Sequence, residues 1–395
     1  MKRIWKKWAG IATAGLVIAG MMSACGTDSG NSARELRIGI LWPVSGASAA
    51  ITADFVAGVE TALADYKEQL DDRGISTKVI IEDDQGTPSV AISGFQKLAN
   101  KDQVDVVVGP LNSNNCLAVL PVADRAGIAT IVTGTAPSLA EGGWKTFVRG
   151  TSPNRVQVNT LVEYAVNDGG WKNIVVIHQE TEYGDDLRDN TITAAKERGA
   201  EVVETIAYAP GTTNFLSIAT KTKNRNPDGV IVAGLGGESV SVIKQLLDAG
   251  VASSKIGAYG GTDANVVEEV IPAKDRDGML LISGFTDKAA ELQTDDAKAF
   301  VADYQARRGH KPQLYGAIGY VQGQMIINAA LGIDGEIDKK SMLDALTTRK
   351  PFQSVLGEVV LADSNELLVP LWVQKYDKAG EASPVHFYVD PAAKS

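Results

Sequence analysis

Polar side chains follow several apolar runs of this sequence, at the point where each run ends. Hydroxyl groups and the free backbone N–H groups of a helix start can hold an anion, and a carboxylate in a closing cleft pairs with an ammonium group. These residue types predict reversible capture of a small polar molecule. The residues are Asn112 and Ser113 after VDVVV, Thr133 and Thr135 after IATIV, Tyr183 after NIVVIH, Glu238 after GVIVAG, and Asp263 after IGAYG.

Covalent chemistry has little support in the sequence. Cys116 is the one mid-chain cysteine, and none of the three histidines, His178, His310 and His386, lies near it in sequence. A small hydrophobe on a helix explains Cys116 better than a nucleophile does. The segment GLGGES lacks a third glycine and the Gly-Lys-Ser/Thr of a phosphate loop, and no Cys/His cluster has metal-site spacing. We predict no catalytic residue, no metal and no cofactor.

Short β-rich runs alternate with longer amphipathic stretches from residue 36 onward. This alternation predicts βαβ units, in which parallel sheets are covered by helices on both faces. Helices are predicted over Asp54 to Asp72 and Asp185 to Arg198. The predicted strands are Leu36 to Trp42, Lys78 to Glu82, Val104 to Val108, Ala129 to Thr133, Asn173 to His178, Glu201 to Tyr208, Gly229 to Ala233, Lys255 to Tyr259 and Gly278 to Ser283.

The plan of strands and helices occurs twice. LRIGILWPVSG and its helix parallel NIVVIHQETEYG and its helix, and VDVVVGPLNSNN parallels DGVIVAGLGGES. The predicted fold class is therefore α/β, with two similar Rossmann-like lobes built on parallel sheets. Ligands of open parallel sheets bind beyond the carboxyl ends of the strands. We expect the polar residues to meet in a cleft between the lobes.

Residues 1–24 have the features of a secretory signal. Four Lys and Arg residues precede an apolar stretch, Ile11 to Met22, which is too short to span a bilayer comfortably. Met22-Ser23-Ala24-Cys25 resembles a bacterial lipobox, in which the cysteine becomes diacylated; an ordinary signal with a chance cysteine is the alternative. With residues 25–34 as a flexible tether, the sequence predicts an extracytoplasmic protein held at the membrane by lipid only.

Charge and cysteine content exclude further classes. The chain has 38 basic and 48 acidic residues. Removing the four basic residues of the signal leaves 34 against 48, a net charge of −14. Nucleic acid is not an expected partner, because phosphate contacts need clustered Lys and Arg. With Cys25 acylated, Cys116 has no partner for an intrachain disulfide.

Six segments at the predicted cleft resemble one family. They are IGILWPVSG, EDDQGTP, GPLNSNN, AGIATIVTGTAP, HQETEYGDDL and AGLGGESVSVIKQLLDAG, in this order. Together they resemble the type I extracytoplasmic solute-binding proteins of ABC importers, which bind leucine, isoleucine, valine, other amino acids and amides. The resemblance extends from about residue 36 to about residue 376. It implies a monomeric, non-enzymatic protein that captures an amino acid, amide or aromatic acid by cleft closure and delivers it to ABC permease subunits.

The resemblance also implies roles for single residues. Ser113 would hydrogen-bond a ligand carboxylate through its hydroxyl and backbone N–H. Thr133 and Thr135 would bind an α-amino group, and Tyr183 would close over the ligand from the second lobe. The carboxylate that pairs with the ligand ammonium aligns with either Thr262 or Asp263.

Each of these residues also has a purely structural interpretation. Ser113 could be a helix N-cap, Thr133 and Thr135 could be turn formers, and Asp263 could cap the helix that follows it. Glu238 has the same ambiguity and ranks second to Asp263 as the ammonium partner. Trp42 is either a core residue or a stacking platform at the cleft, and the core is favoured.

Departures from the family pattern predict an altered ligand. Ile51 or a neighbour replaces a tyrosine, and Leu235 replaces a cleft aromatic residue. Gly86 and Asn112 occupy the positions of a frequent disulfide. These changes leave the cleft loops intact, but they weaken the case for leucine as the ligand.

The resemblance implies three crossings between the lobes, near Thr151 to Asn154, Ser283 to Asp287 and Arg349 to Gly357. The first lobe would contain 35–151 and 285–349, and the second 152–284 and 350–376, followed by a C-terminal extension over 377–395. Two other functions stay open. One is a ligand sensor of the same fold, and the other, less favoured, is a secreted α/β enzyme.

Overall fold

The structure is a computed structural model that describes residues 34–289, 294–348, 352–359 and 361–390. The predicted signal, Cys25 and nearly all of the predicted tether lie outside the described residues. The described residues form one compact unit, which contains both lobes.

The first lobe is built on a five-stranded parallel sheet with the strand order β2-β1-β3-β4-β5. The central strand is the β-branched run VVV, which is buried on both faces, as strands of a sheet covered by helices are. The strands are β1 Arg34–Trp42, β2 Ile75–Asp83, β3 Val106–Val108, β4 Ala129–Val132 and β5 Phe147–Arg149, and the helices are α1 Ala49–Asp65, α2 Lys67–Asp72, α3 Pro88–Asn100, α4 Ser113–Ala126 and α5 Ser138–Glu141.

The second lobe repeats this arrangement. Its five parallel strands have the order β10-β9-β8-β6-β7. The strands are β6 Asn173–Gln179, β7 Glu201–Tyr208, β8 Gly229–Ala233, β9 Ile256–Ala258 and β10 Leu280–Ser283, and the helices are α6 Asn154–Asn167, α7 Glu182–Glu197, α8 Leu216–Arg225, α9 Gly236–Asp248 and α10 Ala264–Val270.

After β10 the chain returns to the first lobe with helices α11 Asp295–Arg308, α12 Leu314–Leu331 and α13 Lys339–Thr347. Glycine allows α12 to lie directly on α1, because a Cβ on Gly58 would be 2.1 Å from the Gly316 carbonyl oxygen. The stretch Gly46–Asp65, which includes α1, is long and apolar enough to cross a membrane; half of it is buried, as in the core helix of a globular lobe.

The last segments divide between the lobes. Strands β11 Phe352–Ser354 and β12 Gly357–Val359 form an antiparallel hairpin, and Val355, Leu367 and Val369 lie in the first-lobe core. Strands β13 Leu371–Tyr376 and β14 Ala382–Tyr388 then extend the second sheet: β13 pairs antiparallel with β10, and β14 pairs antiparallel with β13.

Two details therefore differ from the predicted boundaries. Residues 352–369, assigned from the resemblance to the second lobe, pack largely with the first, and β14, assigned to a C-terminal extension, belongs to the second sheet. Residues 352–369 pack with first-lobe residues far away in sequence, and β14 joins the sheet only through β13, which pairs with the distant strand β10. The nine predicted strands all exist, with ends that differ by up to three residues, whereas β5, β11, β12, β13 and β14 were not predicted.

Candidate ligand-binding cleft

The carboxyl ends of the two parallel sheets face each other across a cavity of about 530 Å³. Its wall consists of the loops that follow the strands of both lobes, together with the start of α12. Six of the predicted residues contribute to the wall, whereas Trp42 and Asp263 do not. The six are Asn112, Ser113, Thr133, Thr135, Tyr183 and Glu238.

Ser113 is the first residue of α4, and its hydroxyl is held in one orientation. Its Oγ accepts hydrogen bonds from the backbone N–H groups of Thr135 at 3.2 Å and Ala136 at 3.3 Å. Asn112 is the N-cap residue, without a side-chain cap bond, so the alternative that Ser113 is an N-cap is wrong. Because both acceptor sites of the Ser113 oxygen are occupied, its proton remains available to a group in the cavity.

The start of α4 offers further donors. The backbone N–H groups of Ser113 and Asn114 find no acceptor among the residues that the structure describes. Both residues line the cavity. Unpaired N–H groups at the positive end of a 14-residue helix form a site for an anion.

Thr133 and Thr135 lie beside Ser113 on the turn after β4. The Thr133 hydroxyl accepts from Gln322 Nε2 at 3.1 Å, so its proton is also available to the cavity. The Thr135 carbonyl accepts the Asn154 N–H at 3.0 Å, while its hydroxyl has no partner among the described residues. Both residues line the cavity, so they can contact a ligand as well as form the turn.

Tyr183, near the start of α7, forms part of the second-lobe wall. Its Oη accepts the Gly261 N–H at 2.9 Å. Burial raises the pKa of the Tyr183 hydroxyl, so the group keeps its proton at neutral pH. The hydroxyl can therefore donate to a ligand while it accepts from Gly261.

Glu238 carries a negative charge on the same wall. Its two oxygens accept from Gln179 Nε2 at 2.7 Å and from the Gly211 N–H at 2.9 Å. No ion pair to Glu238 exists among the described residues, and none of those that line the cavity is Lys, Arg or His. The second carboxylate of the wall, Glu180, is exposed. The cavity thus has neutral donors on one side and an unpaired carboxylate on the other.

Asp263 and Thr262 lie away from the cavity. Asp263 is 1% exposed and its carboxylate accepts the Asn265 N–H at 2.8 Å, so it caps α10. Burial and the negative charge of Asp54 raise the pKa of Asp263 to about 7. Thr262 donates to Ser239 Oγ at 2.8 Å. The structure therefore corrects the ranking of the two acidic residues, because Glu238 and not Asp263 reaches the wall.

Trp42 is a core residue. Its ring is fully buried and stacks on Phe55 with the ring centroids 3.8 Å apart. Tyr315, at the start of α12, stands between this core and the cavity, with its ring edge-on to Trp42 at 6.2 Å. Sequence reasoning did not find Tyr315, because it lies in a largely apolar helix and does not follow a strand, as the predicted site residues do.

The family departures also have positions in the structure. Leu235 lines the cavity, whereas Ile51 is buried in the first-lobe core. A Cβ on Gly86 would lie 3.4 Å from Asn112 Nδ2, so the two positions of the missing disulfide are neighbours. Cys116 is buried, and burial raises the pKa of its thiol to about 12, which leaves it unreactive at neutral pH.

The lobes touch each other beside the cavity. Ser138 of the first lobe donates to Glu182 Oε1 at 2.8 Å, and the Glu182 N–H donates to Asn114 Oδ1 at 3.1 Å. Elsewhere on the cleft, a Cβ on Gly236 would lie 2.8 Å from the Ala47 carbonyl oxygen. These contacts belong to a closed cleft.

Comparisons with known proteins agree with this geometry. A family model described as periplasmic binding protein matches residues 35–381. The Leu/Ile/Val-binding protein homolog 1 of Brucella suis is 26% identical over 377 residues, which cover 95% of this chain and 96% of the relative.

Two solved structures share the fold. One is the branched-chain amino acid transporter substrate-binding protein LivJ from Streptococcus pneumoniae in complex with isoleucine; it has a TM-score of 0.81 and 22% identity, and the match covers 90% of this chain and 100% of that one. The other is a solute-binding protein of an ABC transporter from R. palustris in complex with benzoate; it has a TM-score of 0.79 and 21% identity, and covers 91% and 99%.

Proposed function

The chain belongs to the periplasmic binding protein family, and we propose that it captures a small carboxylate-bearing solute by cleft closure and delivers it to an ABC importer. The match to the family and to its structures confirms the predicted family and the two-lobed α/β fold. The protein is an extracytoplasmic solute-binding protein, not an enzyme. The ligand class, the permease partner and the membrane anchor belong to the proposal.

The hydrogen-bond donors at the start of α4 are the main support for this proposal. The Ser113 hydroxyl has one proton free, and in the described part of the chain the N–H groups of Ser113 and Asn114 have no acceptor. A carboxylate at this point would accept several hydrogen bonds from neutral donors, each of them strengthened by the ligand charge. An uncharged sugar has no negative charge to interact with the positive end of the α4 dipole.

The relatives support the same class. Isoleucine and benzoate, the ligands named for two structures of this fold, share a carboxylate and an apolar body. The cavity has matching apolar surface in Leu235, Ile282 and Leu314. An amino acid, an amide-bearing acid or an aromatic acid would each place its carboxylate at α4 and its body against these side chains.

Cleft closure is the proposed mechanism of capture. A ligand shifts a two-state equilibrium only if it binds one state better. Ser113 and Tyr183 belong to different lobes, so a ligand that bridges them would favour the closed form. The contacts that Glu182 makes with Ser138 and Asn114 would then help to hold that form.

Thermal-shift and calorimetric screening against isoleucine, benzoate and glucose tests the ligand class. We expect isoleucine or benzoate, or both, to raise the melting temperature, and glucose to leave it unchanged. Stabilisation by glucose alone would refute the carboxylate site. Delivery to an importer requires that deletion of the gene lowers uptake of the bound solute by whole cells; normal uptake would contradict it.

We also propose, from Met22-Ser23-Ala24-Cys25, that the mature chain is anchored through a diacylated Cys25. Wild-type protein should then partition into the detergent phase of a Triton X-114 separation. Cys25→Ala should move to the aqueous phase or stay unprocessed, while Cys116→Ala should partition like wild type. Equal partitioning of Cys25→Ala and wild type would exclude the anchor.

A further inference from the structure

Arg149, at the end of β5, is a fully buried cation behind the first-lobe wall of the cleft. Its Nη2 donates to the Ala136 carbonyl at 2.8 Å, and its Nε lies 3.1 Å from Glu366 Oε1. Its Nη1 has no hydrogen-bond partner among the described residues. Burial of a guanidinium is unfavourable unless nearby groups compensate its charge. A fully buried arginine with an unused nitrogen therefore needs an explanation beyond packing.

The turn that Arg149 holds is the one that orients Ser113. The Arg149 side chain binds the carbonyl of Ala136, and the N–H of Ala136 in turn binds Ser113 Oγ. The turn is pressed against α4, because a Cβ on Gly134 would lie 3.0 Å from Ser113 Cα and 2.8 Å from Cys116 Sγ. A small shift of Ala136 would therefore change the direction of the Ser113 hydroxyl.

Glu366 fixes Arg149 from the other side. The backbone N–H of Arg149 donates to the Asn365 carbonyl, and the Leu367 N–H donates to the Arg149 carbonyl, both at 2.9 Å. Close by, Ser152 Oγ donates to the Val369 carbonyl at 2.6 Å, within the crossing between the lobes. Arg149 is thus attached to a segment, 365–367, that does not line the cavity.

The guanidinium also keeps its charge. Burial lowers the pKa of Arg149 to about 10, and the Glu366 carboxylate opposes this shift, so the group is protonated at neutral pH. Charges interact strongly in a buried, low-dielectric environment. The ion pair with Glu366 therefore keeps Arg149 as a charged donor to the Ala136 carbonyl.

We propose that Arg149 is the positioning residue of the carboxylate site: it holds the turn at Thr135 and Ala136 so that the Ser113 hydroxyl points at the ligand carboxylate. The inference rests on the proposed function, because it assigns Arg149 to the same anion-binding end of the cleft. Arg149 acts through Ser113 and does not line the cavity.

The test compares carboxylates with their neutral amides. Calorimetry measures isoleucine against isoleucinamide and benzoate against benzamide, for wild type and for the double variant Arg149→Met/Glu366→Gln. The double variant removes both charges, so that no unpaired ion is left in the core. We expect carboxylate affinity to fall about tenfold and amide affinity to change less than about twofold.

Two further variants complete the design. Arg149→Lys keeps the charge but cannot reproduce the forked guanidinium that contacts both the Ala136 carbonyl and Glu366, so carboxylate affinity should fall about threefold. If the double variant does not fold, Arg149→Lys decides whether Arg149 is a positioning residue. Arg155→Met is the matched control, because Arg155 also lies near Glu366, at 3.8 Å, but is partly exposed and has no hydrogen bond to Ala136 or Ser113. Its carboxylate-to-amide ratio should equal that of wild type.

Ser113→Ala separates the possible failures. If Ser113→Ala lowers the carboxylate-to-amide ratio while the Arg149 variants keep it, Arg149 is only structural and the inference is wrong. If wild type itself binds the amides as well as the carboxylates, the proposed carboxylate site fails and the inference fails with it. A loss of melting temperature with an unchanged ratio would likewise overturn the positioning role.

Discussion

The two walls of the cleft start from the same βαβ plan but have opposite polarity. In the first lobe, the N–H groups of Ser113 and Asn114 have no acceptor among the described residues, and both residues line the cavity. In the second lobe, the Gly236 N–H at the start of α9 donates to the Gly261 carbonyl, and Glu238 occupies the first helical turn. One helix start is open to an anion, whereas the other is compensated within its own lobe. A ligand with a negative end should therefore bind in one orientation only.

Among the variants that test the opposite polarity of the two walls, Ser113→Ala should have the largest effect. Loss of the hydroxyl should weaken binding of the carboxylate found by screening about 10- to 100-fold, equivalent to about 1.5–3 kcal/mol, because a charge-assisted hydrogen bond disappears. Isothermal calorimetry measures this. Ser93→Ala, at an exposed position on α3, is the control and should bind like wild type. Unchanged affinity in Ser113→Ala would mean that the anion end lies elsewhere.

Glu238→Gln should show whether the second wall binds a cation. Isoleucine has an ammonium group and should bind about tenfold more weakly, because this ammonium loses its carboxylate counter-ion. Benzoate has no ammonium group and should change less than about twofold. Glu180→Gln, the exposed carboxylate of the same wall, should affect neither probe. If isoleucine loses no affinity in Glu238→Gln, the polarity of the second wall has no role in recognition.

Asp263→Asn should have the smallest effect and should act on stability. The pKa of Asp263 is about 7 in the folded protein, against an ordinary value of 3.8. Between these pH values the folded protein holds more protons than the unfolded chain, so the stability due to this group falls as the pH rises. Asparagine can still cap α10.

Urea unfolding at pH 5 and pH 8 measures this prediction. Asp263→Asn should stabilise the protein by about 1 kcal/mol or more at pH 8 and by much less at pH 5. Asp228→Asn is a control of opposite sign, because backbone N–H bonds from Asn173 and Lys172 lower the pKa of Asp228. Asp228→Asn should therefore be less stable than wild type at pH 8. Equal effects of Asp263→Asn at both pH values would show that Asp263 is ionised throughout.

Local sequence patterns predicted most of the fold. The run VVV and the polar residues after it predict β3 and a ligand-facing loop, because strand periodicity and helix starts depend on neighbouring residues. The parallel between two halves of the chain predicts two lobes for the same reason. The strands β13 and β14 were missed, since β13 joins the sheet by pairing with the distant strand β10, and β14 joins it only through β13.

By itself the sequence determined which loops face the cleft. It predicted four cleft residues from their positions at strand ends and helix starts: Ser113, Thr133, Thr135 and Tyr183. Only the tertiary structure decided between Asp263 and Glu238, because both lie near helix starts and only the packing shows that Asp263 is enclosed beside α12 while Glu238 reaches the cavity. Tyr315 and Arg149 were also identified only from the tertiary structure. Their environment is made by segments more than 100 residues away in sequence, such as Trp42 beside Tyr315 and Glu366 beside Arg149, and local patterns do not encode those contacts.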